Sequence, residues 1–250
     1  MYLEVRNLTV LYDTAMVLNE VNLQVDIGEL VSLVGPNGAG KSTCLRAIAG
    51  LVKWEKDTLK GTRIGNITIE GCVIFNGEEM TRLPAHEIPK RGLTLCPERG
   101  RPYRELTVLE NLEVGAFLVK NKKSVKESLD RIIYPLFPVL KKRANQISGT
   151  LSGGERTMLS IGRALMSQAK LLLIDEPSVG LAPLIKKDLF ERISDVHKLG
   201  ITILLVEQDI SFAFDLASRN YVMSRGKVIT EGTASELLAN EFLRKTYLGL

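Results

Sequence analysis

The 250-residue chain is short of most features that would mark a membrane, secreted or metal-cluster protein. No apolar run approaches the ~18 residues that a membrane-spanning helix needs. The longest candidates, Leu171 to Ile174 and Ile201 to Val206, have the length of strands. The N-terminus, Met1-Tyr2-Leu3-Glu4-Val5, has no basic stretch followed by an apolar one and so offers no signal peptide. Cys44, Cys72 and Cys96 are odd in number and far apart. They form no metal or redox motif and read as reduced thiols of a cytoplasmic protein. Charge of one sign is also lacking. The 33 basic and 29 acidic residues leave a net charge of +4, too diffuse to argue for nucleic-acid binding. The basic clusters, Lys120 to Lys126 and Lys141-Lys142-Arg143, are short and read as solvated helix faces. There is no internal repeat and no low-complexity linker. Any membrane role must therefore come through a partner.

What the chain does have is organised around Gly35-Pro36-Asn37-Gly38-Ala39-Gly40-Lys41-Ser42-Thr43. This stretch fits G-x-x-x-x-G-K-[ST], a phosphate-binding loop. Leu30 to Val34 before it reads as a buried strand. Cys44 to Ala49 after it reads as a helix stopping at Gly50. The glycines allow successive N–H groups to turn inward around a phosphate. The helix start adds unpaired N–H groups and the positive end of its dipole. Lys41, read as an exposed ligand, reaches terminal phosphates, and the Ser42 hydroxyl suits Mg²⁺.

Residues 3–34 pattern as antiparallel β-structure, with Val21, Leu23, Val25 and Ile27 alternating with polar residues. Tyr12, placed in a Thr9–Asp13 connection, could stack on a base, although an aromatic there is more often an ordinary strand residue. The stretch 51–80 reads as irregular. It contains a charged piece from Trp54 to Lys60, a hairpin turning at Gly71 and a second turn at Asn76-Gly77. Leu93 to Cys96 reads as a strand ended by Pro97. Thr107 and Glu110 have capping-box spacing and start a helix through about Val119. Ser124 and Glu127 repeat the device, with Leu129, Ile132, Ile133 and Leu136 on one face. The helical segment from about 105 to 167 reads as a subdomain inserted into an α/β core. Near the end, Arg225-Gly226 turns a hairpin and Thr233 caps a helix.

Two further stretches carry chemistry. Leu151-Ser152-Gly153-Gly154-Glu155 opens a helix by another capping box, with Met158, Ile161 and Leu165 on one stripe. Glycine is a poor helix former, and two in a first turn make sense if another molecule approaches those amides. That helix start is a second anion site. Leu171 to Ile174 delivers Asp175 and Glu176 at the carboxyl end of a buried strand, where open α/β sheets bind ligands. Asp175 suits Mg²⁺ together with Ser42, and Glu176 suits a general base or an orienter of water. Glu207-Gln208-Asp209 closes another buried strand at the same kind of edge.

Gly35–Thr43, Leu151–Glu155 and Leu171–Pro177, in this order, resemble the ATPase subunits of ATP-binding-cassette transporters over nearly the whole chain. Ile161 to Ser167, Ser178 to Leu184, Leu204 to Gln208 and the ending Tyr247-Leu248-Gly249-Leu250 resemble one of the two ATPase subunits of the branched-chain amino acid importer. The resemblance implies an α/β P-loop NTPase of ABC ATPase type: a mainly parallel sheet core, an N-terminal antiparallel β subdomain and an inserted α-helical subdomain, all in one nucleotide-binding domain over 1–250. It implies an ATPase that uses ATP and Mg²⁺ to power uptake of leucine, isoleucine and valine. An importer of urea or short amides is the alternative, and a non-transport cassette is a more distant one.

The partners it implies are two membrane-spanning permease subunits, a second ATPase subunit in a homo- or heterodimer, and an extracytoplasmic substrate-binding protein, with no nucleic acid. The location it implies is the cytoplasmic face of the cell membrane, peripheral and through partners. By position, Tyr12 matches the aromatic that stacks on adenine. Gly35, Pro36, Asn37, Gly38, Ala39, Gly40, Lys41, Ser42 and Thr43 match the ATP loop. Ser152, Gly153, Gly154 and Glu155 match the signature that closes on the opposite subunit's ATP. Asp175 and Glu176 match the Mg²⁺ and water residues. Glu98 falls where the superfamily has a glutamine that senses Mg²⁺ and contacts the membrane subunit, and Gln208 where most relatives have a histidine on the γ-phosphate. Glu98-Arg99-Gly100 departs from the subfamily's Glu-Gly-Arg, and residues 53–72 are longer than usual. His86 and His197 match no catalytic position and read as surface residues.

Overall fold

The computed structural model describes residues 1–60 and 66–243. Residues 61–65 of the long 53–72 segment and the ending Tyr247 to Leu250 lie outside the described residues. The strands are Leu3–Tyr12 (β1), Ala15–Val25 (β2), Leu30–Val34 (β3), Ile67–Phe75 (β4), Glu78–Glu79 (β5), Leu93–Cys96 (β6), Leu171–Asp175 (β7), Thr202–Glu207 (β8), Arg219–Ser224 (β9) and Lys227–Gly232 (β10). The helices are Lys41–Ile48 (α1), Leu51–Thr58 (α2), Val108–Gly115 (α3), Lys122–Ser128 (α4), Tyr134–Leu136 (α5), Pro138–Lys142 (α6), Gly153–Met166 (α7), Pro183–Lys198 (α8), Ile210–Leu216 (α9), Ala234–Ala239 (α10) and Glu241–Leu243 (α11). Contacts divide the chain into two compact units, one of Met1–Arg91 with the segment from Thr202 onward, the other of Gly92–Ile201.

The first unit holds an antiparallel sheet in the order β2-β1-β4-β5. Leu18, Val21, Leu23 and Val25 of β2 are buried, the alternation expected of a sheet with one solvated face. Tyr12 is the last residue of β1, paired with Ala15 and Ile67, and not part of a connection. The expected hairpin at Gly71 is absent: β4 runs straight through it. The β1–β4 register slips between Arg6 and Thr9, and a Cβ on Gly71, at φ 85°, would collide with the carbonyls of Arg6 and Asn7. Gly71 thus marks a bulge with close backbone approach, which is the other meaning of a glycine in a strand. The Asn76-Gly77 turn does form, with φ of 50° and 80° at its two residues. Residues 51–58, read as irregular, are helix α2, and Gly50 at φ 72° separates it from α1.

The same unit holds β3 between β8 and β9, parallel to both, with β10 antiparallel to β9. Every residue of β3 and β8 is buried. Both faces are covered, so these strands read as continuous apolar runs. Ser32 is the polar exception in β3, and its hydroxyl donates to Asn220 Oδ1 at 2.6 Å. Ala213, Phe214, Val222 and Leu237 pack with Val34 under the sheet. Leu237 belongs to α10, whose start is fixed by the Thr233–Glu236 capping box.

The second unit pairs β6 with β7 in parallel, Leu93 opposite Leu171. The Thr107–Glu110 and Ser152–Glu155 capping boxes both form, opening α3 and α7. The expected Ser124 cap does not: Asn121 caps α4 through its Oδ1, and Ser124 lies inside the helix. A π-helical stretch, Leu129–Ile133, continues α4 into α5. It rotates the stripe, so Leu129, Ile133 and Leu136 are buried while Ile132 faces solvent. Helix α3 stops at Gly115, earlier than the pattern suggests.

Candidate active site

The first unit carries the phosphate loop, Tyr12 and Gln208. Strand β3 ends at Val34, and the loop that follows is shaped by close backbone approach. A Cβ on Gly35 would collide with the Met223 carbonyl of β9. One on Gly40, at φ 103°, would come within 2.8 Å of the Val17 carbonyl of β2. Gly226 N–H, from the β9–β10 turn, donates to the Ala39 carbonyl at 2.9 Å. Lys41 corrects an expectation. Its side chain is only 3% exposed. Nζ donates to the carbonyls of Gly35 at 2.9 Å and Pro36 at 3.2 Å. It therefore braces the loop as well as standing ready for a ligand. Asn37 and Gly38 are exposed. Beside them a groove of about 700 Å³ is walled on its other side by Arg225, Lys227 and Ile229.

Tyr12 is half-buried, and its hydroxyl donates to Glu55 Oε2 of α2 at 3.1 Å. Glu55 also pairs with Arg46 of α1, the helix that the phosphate loop opens. Burial, and then the Glu55 charge, push the Tyr12 pKa above that of a free phenol. Strand β8 runs beside β3 with Glu207 opposite Val34, so Gln208 and Gly35 leave the two strands at the same level. The Glu207 carboxylate is fully buried and accepts the N–H groups of Gln208 at 2.9 Å and Asp209 at 3.2 Å. Glu207 thus fixes the backbone at Gln208. Cys44 is buried in α1, which pushes its thiol up to about 12 and leaves it unreactive.

The second unit carries Glu98, the 152–155 stretch, Asp175 and Glu176. Asp175 closes β7 and is 6% exposed. Glu176 follows it at φ 40°, in the left-handed region that non-glycine residues rarely enter. Strain of this kind clusters at functional sites. At the start of α7, Glu155 accepts the Ser152 N–H at 2.9 Å and pairs with Arg143 at 2.8 Å. The two glycines of that turn differ. A Cβ on Gly154 would lie 2.5 Å from Ile185 of α8, so Gly154 is needed by the chain's own packing. One on Gly153 would meet only Leu181, at 3.0 Å. Glu98 is half-buried and pairs with Arg99 at 3.1 Å.

Sequence reasoning missed three features here. Helix α8 is one, although Pro183 at its first turn and the buried stripe Leu189, Phe190, Ile193 and Val196 signal it. Asn111 is fully buried and bonds Tyr103 at both N and O, at 2.9 and 3.1 Å. Arg163 holds the loop before Tyr103. Of the histidines, His86 is exposed and His197 half-buried. Among the described residues no helix is long and apolar enough to cross a membrane.

A glycine-shaped loop between a buried parallel strand and a helix, with a lysine folded into it, defines an α/β protein that binds nucleotide phosphates. The chain belongs to the ABC transporter family, whose model matches residues 18–179. It is 41% identical over 238 residues to "High-affinity branched-chain amino acid transport ATP-binding protein BraG" of Pseudomonas aeruginosa, covering 95% of each chain. It is 32% identical to "Lipopolysaccharide export system ATP-binding protein LptB" of Haemophilus influenzae, covering 99% of this chain and 97% of that one. Its fold matches the ADP conformation of MJ1267, an ATP-binding cassette of an ABC transporter, with a TM-score of 0.81 and 27% identity over 98% of this chain and 97% of that one. It is an ABC-type ATPase, and its fold is that of the ABC cassette.

Proposed function

We propose that this chain is the ATP-hydrolysing subunit of an importer of branched-chain amino acids. The similarity to BraG, extending over 95% of both chains, carries this reading. In it, amides of Gly35 to Gly40 bind the phosphates and Lys41 shifts from the loop carbonyls to the terminal phosphates. Tyr12 offers its ring to adenine. Glu176 takes a proton from, or orients, the attacking water. The Gln208 amide donates to a γ-phosphate oxygen. Ser152, Gly153 and Gly154 close on the ATP of a second cassette. The donor set fits Mg²⁺, which prefers a few hard protein oxygens alongside phosphates and waters. Ser42 and Asp175 are the residues we assign to it, with Glu98 as its sensor. Bound there, Mg²⁺ neutralises charge on the β- and γ-phosphates. The partners are two membrane subunits, a second ATPase subunit and an extracytoplasmic binding protein, and the chain works at the cytoplasmic face of the membrane through them.

The similarity to LptB over 99% of this chain favours a second reading, the ATPase of an export system. The test is reconstitution in vesicles with the membrane subunits and a leucine-loaded binding protein. Leucine uptake with stimulated ATP hydrolysis is expected. Hydrolysis stimulated by lipopolysaccharide and not by leucine would move the chain to the export reading. Stimulation by a urea-loaded binding protein alone would move it to the short-amide importers.

A further inference from the structure

The loop between Pro97 and Arg104, in the second unit, is strained and tightly held. Arg99, Gly100 and Arg101 have φ of 59°, 71° and 35°, three consecutive residues in the left-handed region. Only one is glycine, and such a run persists only where its surroundings over-determine it. Helix α7 supplies that determination. A Cβ on Gly100 would collide with the Arg156 carbonyl. Two turns further along α7, the half-buried Arg163 turns back onto the same loop. Its Nη2 donates to the carbonyls of Gly100 at 3.4 Å and Arg101 at 3.2 Å. Its guanidinium lies 5.2 Å from the centre of the Tyr103 ring. Tyr103 is itself fixed by Asn111 at N and O, and by the Ser148 hydroxyl at 2.8 Å. A planar cation that stacks on a ring while donating to two carbonyls is a task for arginine and not for lysine.

We propose that Arg163 is a positioning residue that locks the 98–104 loop onto α7, so that the loop and residues 152–154 at the start of that helix move as one piece. The helix is 14 residues long and hydrogen-bonded throughout, so it transmits a displacement along its axis. The functional meaning rests on the reading above, in which Glu98 meets a membrane subunit and Ser152 to Gly154 meet a partner's ATP. The lock itself does not depend on that reading.

The test begins with hydrogen–deuterium exchange of the nucleotide-free chain and its Arg163→Met, Arg163→Lys, Gly100→Ala and Gly200→Ala variants. Gly200, at φ 85° with open space around it, carries backbone strain without a collision and serves as control. Arg163→Met should speed exchange in 98–104 by roughly tenfold to a hundredfold, as expected for losing hydrogen bonds from a charged donor, and Gly100→Ala should speed it too, by pushing the loop off the Arg156 carbonyl. Arg163→Lys should recover part of the protection, and Gly200→Ala should leave the loop unchanged. In the assembled transporter the two loop-releasing variants should keep KM for ATP while kcat for stimulated hydrolysis falls. Unchanged exchange in the loop overturns the proposal. So does an increase spread evenly over α7, β6 and β7, which would make Arg163 a general core residue. A released loop with unchanged stimulated hydrolysis overturns its part in coupling. A complex that does not respond to leucine at all counts against the importer reading, and the exchange result still decides the lock.

Discussion

Replacing Lys41 tests two roles at once, because its ammonium both braces the loop and is the ligand we assign to ATP. Removing it takes a charged donor from the Gly35 and Pro36 carbonyls, of which Pro36 keeps the Ala39 N–H at 3.2 Å. A hydrogen bond to a charged group contributes about 1.5–3 kcal/mol. Gly35 is buried, so its carbonyl loses close to that amount, whereas Pro36 is exposed and water can replace the donor. Relief of the desolvation of a buried ammonium offsets part of the loss. The net cost should be about 2 kcal/mol, which for a chain of this size lowers Tm by roughly 4–8 °C. Lys41→Met keeps the aliphatic stem and should lose nearly as much as Lys41→Ala, since the hydrogen bonds and not the packing dominate. Scanning calorimetry without nucleotide measures this cost. Titration calorimetry with Mg-ATP measures the second role, and both variants should bind at least about a hundredfold more weakly, a change of about 2.7 kcal/mol. An unchanged nucleotide-free Tm would refute the brace. An unchanged ATP affinity would refute the phosphate-loop assignment, whatever the Tm does.

Glu176→Gln should keep ATP binding and lower turnover by at least about 10²-fold, the contribution of a general base, measured as ATPase rate at saturating Mg-ATP in the assembled complex. Gln208→Ala should be milder, roughly tenfold to a hundredfold, because a neutral amide contributes one hydrogen bond. If Gln208→Ala proves the more damaging of the two, the ranking is wrong. Tyr221 bridges β9 to β2, accepting the Gln24 N–H at 3.0 Å and donating to the Gln24 carbonyl at 3.2 Å. Burial pushes its phenol up from 10.0 to about 12. The folded state therefore favours the protonated form, so the contribution is intact below pH 10 and is lost as pH rises from 10 towards 12. Denaturant titrations across that range should show an alkaline loss of stability that is smaller in Tyr221→Phe, since Tyr12 and the buried Cys44 contribute to it in both proteins, and an identical loss in both would refute the assignment.

The sequence is most legible where a local rule and the tertiary structure agree. Buried parallel strands such as β3 and β8 announce themselves as apolar runs, and three capping boxes form as their spacing demands. The misreadings share a physical cause. Gly71 and Gly50 both take a φ above +70°, yet one lets two strands approach and the other joins two helices. Nothing local separates these uses. Ser124 and Glu127 have the right spacing, but Asn121 takes the cap three residues earlier and carries the helix past them. The burial of Lys41 was hidden for a different reason. A lysine in a ligand loop looks exposed by type, and only the fold shows that it donates to the loop's own carbonyls. Arg163 was invisible because its partners are backbone carbonyls of a loop distant in sequence, and Asn111 because its partners are backbone atoms of the preceding segment and one remote hydroxyl, none of which a residue-type pattern encodes.

The start of α7 shows how a structural device and a proposed ligand site can share the same atoms. The capping box uses the Ser152 hydroxyl oxygen to accept the Glu155 N–H at 3.4 Å and uses the Glu155 carboxylate to accept the Ser152 N–H. It places a negative charge one turn from amides that we assign to a phosphate, which by itself would repel the ligand. Arg143 removes that objection. Its Nε pairs with Glu155 Oε1 at 2.8 Å, leaving the other oxygen to the Ser152 N–H. The carboxylate is thus spent on a cation and an amide, and the field at the helix start is left to the dipole. Ile185 fills the space beside Gly154, so the amides with room for an outside ligand are those of Ser152's turn nearest Gly153. On this argument a glutamate is tolerated in an anion-binding turn because the fold neutralises it locally, and the capping box and the ligand site need not compete.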